Sequence, residues 1–442
     1  MNNTKIKKTN KELLDFIKHS PSPYHAVEYG CTLLKNANFT ELNINEAWNL
    51  EPNSAYFINQ YGTTLIAFTT GNEINSSTAI RMANAHTDQP CFRVKPNPVL
   101  LEKKYLKLNI ETYGGAIINT WLDRPLSMAG KIVLKSDNVF TPNTMLVDFK
   151  KPILTIPNLA IHLNREVNKG IELNKQTDIL PIIGMMEDSL NKENFFEELL
   201  ASSFNINIED IVDFDLYIYA LEEGCTIGVN DDFISAPRLD NLTSSLSLIK
   251  GIMASNDHNE DNNNSNINII GLFDNEEIGS RTKQGADSML SNIVISKIFD
   301  GLGKSQIDVY NAIPNSFCLS MDVSHAFHPN YSAKNDPTNI VLLNEGIVLK
   351  IDTTQRYATD IEALATLEQL CAKYDIKFQK YVNRSDAIGG STLGSISSSW
   401  MPMKTVDLGV PMLAMHSARE LMGSKDQYYL NQLSIHFFTE AV

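Results

Sequence analysis

His86 and Asp88 in AHTDQP, Asp240 in APRLDN, Glu276 and Glu277 in LFDNEEIG, Asp322 in LSMDVSH and His416 in MLAMHSARE are the residues able to do chemistry in this 442-residue chain. Most follow an apolar run, the arrangement expected where strands of an open α/β sheet end at their carboxyl edge and border a ligand crevice. Two imidazoles and three carboxylates suffice to hold a pair of zinc ions. One carboxylate bridges, and each metal takes one more carboxylate and one imidazole. A metal-bound water has a pKa near ~7 and supplies hydroxide at neutral pH, while a second metal can hold a substrate carbonyl or free α-amine. A further carboxylate beside the metals can carry the proton to a leaving amine. Carboxylate-rich sites of this kind also accept manganese or cobalt.

The adjacent acids Glu276 and Glu277 are the most informative pair. Buried together without cations they would repel, and metal binding by one with base duty for the other removes the conflict. A solvated turn is the alternative for Asp-Asn-Glu-Glu. In the His86-x-Asp88 pair, the carboxylate can accept the ring N–H and fix the tautomer that leaves the other nitrogen free for metal. His416 follows the apolar stretch Leu408 to Met415, and by itself it fits a satisfied core histidine as readily as a ligand.

The elements that must position these residues alternate between helices and short apolar strands, which predicts an α/β class. Residues 10–40 read as helical around the turn Ser20-Pro21-Ser22-Pro23. Strands are expected over Thr78–Ala85, Ile267–Phe273, Ser316–Asp322 and Lys377–Val382, with helices over Asn241–Ala254, Ala286–Phe299 and Asp360–Tyr374. From Phe92 to about Asn230, period-two alternation with Gly and Pro punctuation predicts an inserted β-rich domain and few long helices. The catalytic domain is thus expected over 1–92 and 231–442, interrupted by an insertion over 93–230. The stretch NDHNEDNNNSN is too polar to pack and reads as a solvated loop.

Thirty-seven basic against fifty-two acidic side chains give a formal charge of −15, which argues against nucleic acid as a partner. No apolar run approaches the roughly 20 residues needed to span a bilayer, and the N-terminal segment lacks the apolar centre of a signal peptide. Cys31, Cys91, Cys225, Cys318 and Cys371 form no CxxC pair and read as reduced thiols of a cytoplasmic protein. No glycine-rich phosphate-binding motif follows a strand.

Seven blocks occur in order: AHTDQPCFRVKPNP, ETYGGAIINTWLDRPLSMAGKI, IPNLAIHLNREVN, FISAPRLDN, LFDNEEIGSRTKQGA, MDVSHAFHPNYSAK and LAMHSARELMG. Together they resemble the aspartyl aminopeptidase family of dinuclear metallo-aminopeptidases, from about Ser20 to about Tyr429. The resemblance implies an α/β catalytic lobe with a central mixed sheet, and an inserted β-rich domain that builds dimers which assemble into a tetrahedral dodecamer. It implies two zinc ions per subunit, Asp240 bridging them, His86 and Asp322 completing one site and Glu277 and His416 the other. Glu276 would be the general base, Asp88 would orient His86, and His162 would reach the active site of a neighbouring subunit. The substrate would be a peptide losing its N-terminal residue to metal-bound hydroxide. For an acidic N-terminal side chain, Lys350 stands where the family carries a lysine, and Arg356 and His328 are near it in sequence. Arg356 also fits a structural pairing with Asp360. Gln89, where serine is common, and SDAIGGSTLG depart from the family wording, and some relatives prefer neutral residues. A related carboxypeptidase or deacylase, or an inactive shell-forming relative, are the competing expectations.

Overall fold

The computed structural model describes residues 3–75, 77–170, 172–186, 194–257, 265–387 and 389–440. The chain divides into two compact units, one of Met1–Asp88, Gly224–Met415 and Glu420–Val442, the other of Gln89–Glu223 and His416–Arg419. Most of NDHNEDNNNSN, expected as a solvated loop, lies outside the described residues.

The first unit is built on a nine-stranded mixed sheet. Its strands run in the order Thr40–Glu41, Ala55–Gln60, Thr64–Thr69, Ile267–Phe273, Ile80–His86, Phe317–Met321, Lys404–Gly409, Ile347–Ile351 and Phe378–Val382. The four central strands from Ile267–Phe273 to Lys404–Gly409 are parallel to one another. They are covered on both faces, which is why their sequences are continuous apolar runs. Ile80 and Met82 point into one buried cluster and Ala83 and Ala85 into the other, as the two-residue repeat of a strand requires. A smaller five-stranded sheet joins Cys225–Ile227, Phe233–Ala236, Glu420–Gly423, Pro411–Leu413 and Ser324–His325.

The helix Leu239–Asp257 is buried along most of its length and packs on the helix Asp426–Thr439. Their approach is close. Ser247 and Ser434 hydroxyls meet at 2.9 Å, and a Cβ on Gly251 would stand 2.8 Å from the Ser434 carbonyl oxygen, so glycine lets the two backbones touch. The helix Asp426–Thr439 has no apolar stripe to read in the sequence, because Asp426, Gln427, Asn431 and Ser434 are themselves buried. Gln427 donates to Thr243 O at 3.0 Å and to Asn431 Oδ1 at 2.9 Å, while the Asp426 carboxylate accepts from the amides of Asn344 and Gly346.

The second unit holds a six-stranded antiparallel sheet, ordered Asn143–Asp148, Leu126–Leu134, Ile211–Ala220, Cys91–Glu102, Tyr105–Tyr113 and Ile182–Met185. Leu106, Leu108 and Ile110 alternate into its buried face. It also carries the helix Phe195–Phe204, which period-two reading misses. Phe196 and Leu200, one turn apart, anchor it, and Asn205 at φ 54° ends it in the left-handed region. Among the described residues no helix is long and apolar enough to cross a membrane.

Candidate metal centre

Strand register decides which residues meet. Ile267–Phe273 and Ile80–His86 pair so that Phe273 faces His86, and Phe317–Met321 pairs on the other side with Ser320 facing Asn84. Three adjacent parallel strands therefore end at one level, delivering His86 and Asp88, then Asp274 to Glu277, then Asp322 to the same edge. Asp240 comes from the start of the helix Leu239–Asp257. At the start of its helix Asp240 has φ −81° and ψ 107°, and regular helix begins only after Asn241.

His86 is 1% exposed. Its Nε2 stands 3.3 Å from Asp240 Oδ1 and 3.6 Å from Asp322 Oδ1. Its Nδ1 is 2.9 Å from the Asp88 carbonyl oxygen. A carbonyl can only accept, so Nδ1 donates to it, and Nε2 is the ring atom turned toward the two carboxylates. The Asp88 side chain lies 3.5 Å from Nδ1, and its principal bonds go elsewhere. Its two oxygens accept from the backbone amides of Glu276 and Glu277, both at 3.1 Å. Asp88 thus orients His86 through its carbonyl and fixes the acidic pair through its carboxylate.

Glu276 and Glu277 open a 3-10 turn, Glu276–Ile278, after Asn275 at φ 62°. Thr282 Oγ1 donates to Asn275 Oδ1 at 2.8 Å and holds that residue in place. Ligand atoms of His86, Asp240 and Asp322 all lie within 4.8 Å of one another, as do those of His86, Glu276 and Glu277. Two further residues aim the set, and neither was expected from sequence. Glu420 Oε2 accepts from the Asp240 amide at 3.1 Å, and Asn241 Nδ2 donates to Met321 O at 2.7 Å, tying the Asp240 turn to the strand that delivers Asp322. Glu420 falls inside LAMHSARELMG, but nothing in its spacing separates it from an ordinary surface acid.

The electrostatics of the cluster call for positive charge. Burial pushes the Glu276 carboxyl up to about 8, with repulsion from Asp322, Asp88 and Asp240 adding to it and His86 opposing. Burial and then Asp240 hold Glu277 well above the ordinary carboxylate range. Burial alone would lower the His86 imidazole, yet its hydrogen bonds with Asp240, Asp322 and Asp88 hold it well above its usual value. Hard oxygen donors and one imidazole, crowded and desolvated, are a donor set that divalent zinc fits.

The other expected residues are placed as follows. Lys350 is 2% exposed. It donates to Val323 O at 2.8 Å and stands 3.6 Å from Asp322 Oδ2, the cation nearest the cluster among the expected pocket residues. Burial lowers its ammonium, but Asp322, Tyr357 and Asp407 outweigh burial and leave it above the ordinary lysine value. Arg356 donates to Gly389 O at 3.0 Å rather than pairing with Asp360, whose carboxylate caps the helix Ile361–Lys373 through Ala363 N. His328 accepts from Asn330 N at 3.2 Å and packs edge-on to Tyr331. Among the described residues neither Arg356 nor His328 makes a contact with Lys350. His416 belongs to the second unit, at φ 68° and partly exposed, with its Nδ1 3.3 Å from Gly115 O, so it is not a buried core histidine. His162, also in the second unit, is exposed between Ile161 and Leu163.

A family model described as "Aminopeptidase I zinc metalloprotease (M18)" matches residues 16–438. A "Probable M18 family aminopeptidase 2" of Clostridium novyi (strain NT) is 44% identical over 426 residues, covering 96% of this chain and 97% of its own. Among solved structures, the one described as the Ape4 and Nbr1 complex superposes with a TM-score of 0.94 at 34% identity, over 98% of this chain and 86% of that one. The "S. cerevesiae mApe1 dodecamer" superposes at 0.83 with 26% identity, over 97% and 95% of the two chains.

Proposed function

The chain belongs to the M18 family of zinc metallo-aminopeptidases, hydrolases that act as exopeptidases, and we propose that it removes acidic N-terminal residues from peptides at a centre of two zinc ions. The observation that carries this is the convergence of buried His86 and Asp240 with half-buried Asp322, Glu276 and Glu277 where parallel strands end. Asp240 would be shared by the two metals, with His86 and Asp322 completing one site and Glu277 and His416 the other. Zinc supplies polarisation of the scissile carbonyl, an anchor for the free amine and acidification of water. Glu276 takes the proton of the attacking water and returns it to the leaving amine. Asp88 holds the backbone of Glu276 and Glu277, which keeps base and ligand in register.

Acidic preference rests on Lys350, a buried cation 3.6 Å from Asp322. A neutral preference is the second reading, because the same ammonium is already engaged by Val323 O and Asp322. Aminoacyl amides of Asp, Glu, Leu and Lys separate the two. Fast release of Asp and Glu, lost on chelation and weakened more for these two than for Leu in Lys350→Met, is the expected result. Preference for Leu or Lys would discard the acidic pocket while keeping the metallo-aminopeptidase.

The proposal includes assembly. The yeast relative is described as a dodecamer, and we extend homo-oligomerisation to this chain, with the Gln89–Glu223 unit forming dimers that build a tetrahedral shell. Leu159, Ile161 and Leu163 expose apolar side chains at 54%, 47% and 74% around His162, as a segment covered by another copy would. His162 then serves a neighbouring subunit's active site. Mixed oligomers of His162→Ala and Glu276→Gln chains should regain activity that neither has alone; absence of rescue under demonstrated subunit exchange would refute sharing. Four of the five cysteines are buried as thiols, in keeping with the proposed reducing, cytoplasmic location.

A further inference from the structure

The strands that end at the candidate metal centre begin, at the opposite edge of the sheet, around a cavity of about 850 Å³. Arg81 and Phe317 line it from the starts of two of these strands, and Lys404 from the start of the next strand in the sheet. One face of the helix Ile361–Lys373 forms another wall, with Thr366, Leu370 and Lys373 at helical spacing. Phe437 and Glu440 close it from the last helix and the residues after it. The volume falls within the range of roughly 300–1,000 Å³ typical of sites for small molecules.

Charge in this cavity is unbalanced. Lys373 pairs with the Glu440 carboxylate, which also accepts from the Tyr374 hydroxyl. Lys404 lies 3.2 Å from Glu362. Arg81 differs: its Nη1 donates to the carbonyl oxygens of Phe437 and Glu440, and among the described residues no carboxylate stands within ion-pairing distance. Its Nε and Nη2 donors make no bond among the described residues. The one carboxylate whose charge reaches Arg81, that of Glu440, is already shared with Lys373, so among the described residues this partly buried guanidinium beside Phe317 and Phe437 has no counter-ion of its own and favours an added anion. With both lysines already paired, the surplus among the described residues is one positive charge, and the planar fork of arginine matches a carboxylate.

We infer that this cavity is a second, non-catalytic binding site for small monocarboxylates with an apolar body, Arg81 receiving the carboxylate and Phe317, Leu370 and Phe437 the apolar part. Two sources share that chemistry, the C-terminal end of a short peptide with an apolar last residue and a free arylalkyl acid.

The test uses the full zinc-loaded protein and four probes: N-acetyl-Gly-Phe, its C-terminal amide, 3-phenylpropionate and inorganic phosphate. The acetyl group removes the free amine that the catalytic centre anchors. By titration calorimetry, both carboxylates should bind, and the amide should bind at least about tenfold more weakly. Tighter binding of the acetyl dipeptide identifies peptides as the source, and tighter binding of 3-phenylpropionate identifies free acids. Thr366→Trp, an exposed position that would fill the cavity, should lose this binding while zinc content and aminopeptidase activity stay at wild-type levels. Arg81→Gln should weaken the carboxylates about tenfold and the amide little. Equal affinity for acid and amide, phosphate binding as tight as the carboxylates, binding that survives Thr366→Trp, or none at millimolar ligand would each overturn the inference.

Discussion

Glu276→Gln should retain its full zinc content and lose about three orders of magnitude in kcat, inside the 10²–10⁴-fold range of general acid–base catalysis, with KM little changed. The backbone of Glu276 is held by its amide donating to Asp88 Oδ1 at 3.1 Å, and the turn that follows is fixed by Asn275 and Thr282. An amide side chain of the same shape therefore occupies the same place and lacks only the basic oxygen. Its neighbour serves as the contrast. Glu277→Gln removes a proposed ligand, so activity and bound zinc should fall together, whereas in Glu276→Gln they should separate. Elemental analysis of the purified variants alongside steady-state kinetics reads both quantities. Near-normal turnover in Glu276→Gln would end its assignment as the base, and loss of zinc in that variant would make it a ligand instead.

The parts of this site that were legible in the sequence are those set by local pattern. Ile267–Phe273 is apolar at nearly every position and buried at all of them, so both the strand and its abrupt end at Asp274 could be read directly. The two-residue spacing of His86 and Asp88 suggested a bond from the imidazole to the carboxylate, whereas the imidazole Nδ1 meets the Asp88 carbonyl at 2.9 Å and the carboxylate stands 3.5 Å away. What it could not show is that Asp88 spends its carboxylate on amides 188 and 189 residues away. Glu420 and Asn241 were illegible for the same reason. Their bonds span 180 and 80 residues, and nothing near either in the chain marks the partner. Helical periodicity failed where buried polar residues replace the apolar stripe, as in Asp426–Thr439, and it placed one helix start at Ala286 although regular helix begins at Leu290. Arg356, six residues from Lys350, donates to Gly389 O, a bond across 33 residues that its local sequence does not mark.

Asp240→Ala should have the largest effect on metal content, because a bridging carboxylate is the one ligand whose loss damages both sites at once. The side chain is 4% exposed and stands 3.3 Å from His86 Nε2. Its removal leaves His86, Asp322, Glu276 and Glu277 crowded without the group that would hold two cations between them. Zinc bound after gel filtration should drop from two ions per chain toward none, and activity should fall below detection at ordinary zinc concentrations. Asp322→Ala, which touches one proposed site, should keep the zinc of the other. The backbone gives reason to expect a folded variant. The residue 240 amide still donates to Glu420, and Asn241 still reaches Met321 O, so the turn keeps its anchors. Circular dichroism and the thermal midpoint of the metal-free proteins check that point separately. If Asp240→Ala still carries two zinc ions, Asp240 does not bridge, and if it loses no more zinc than Asp322→Ala, the two sites do not share it. Either result would leave the buried acids in need of a different cation arrangement, since burial and mutual repulsion already push Glu276 to about 8 and Glu277 well above the carboxylate range.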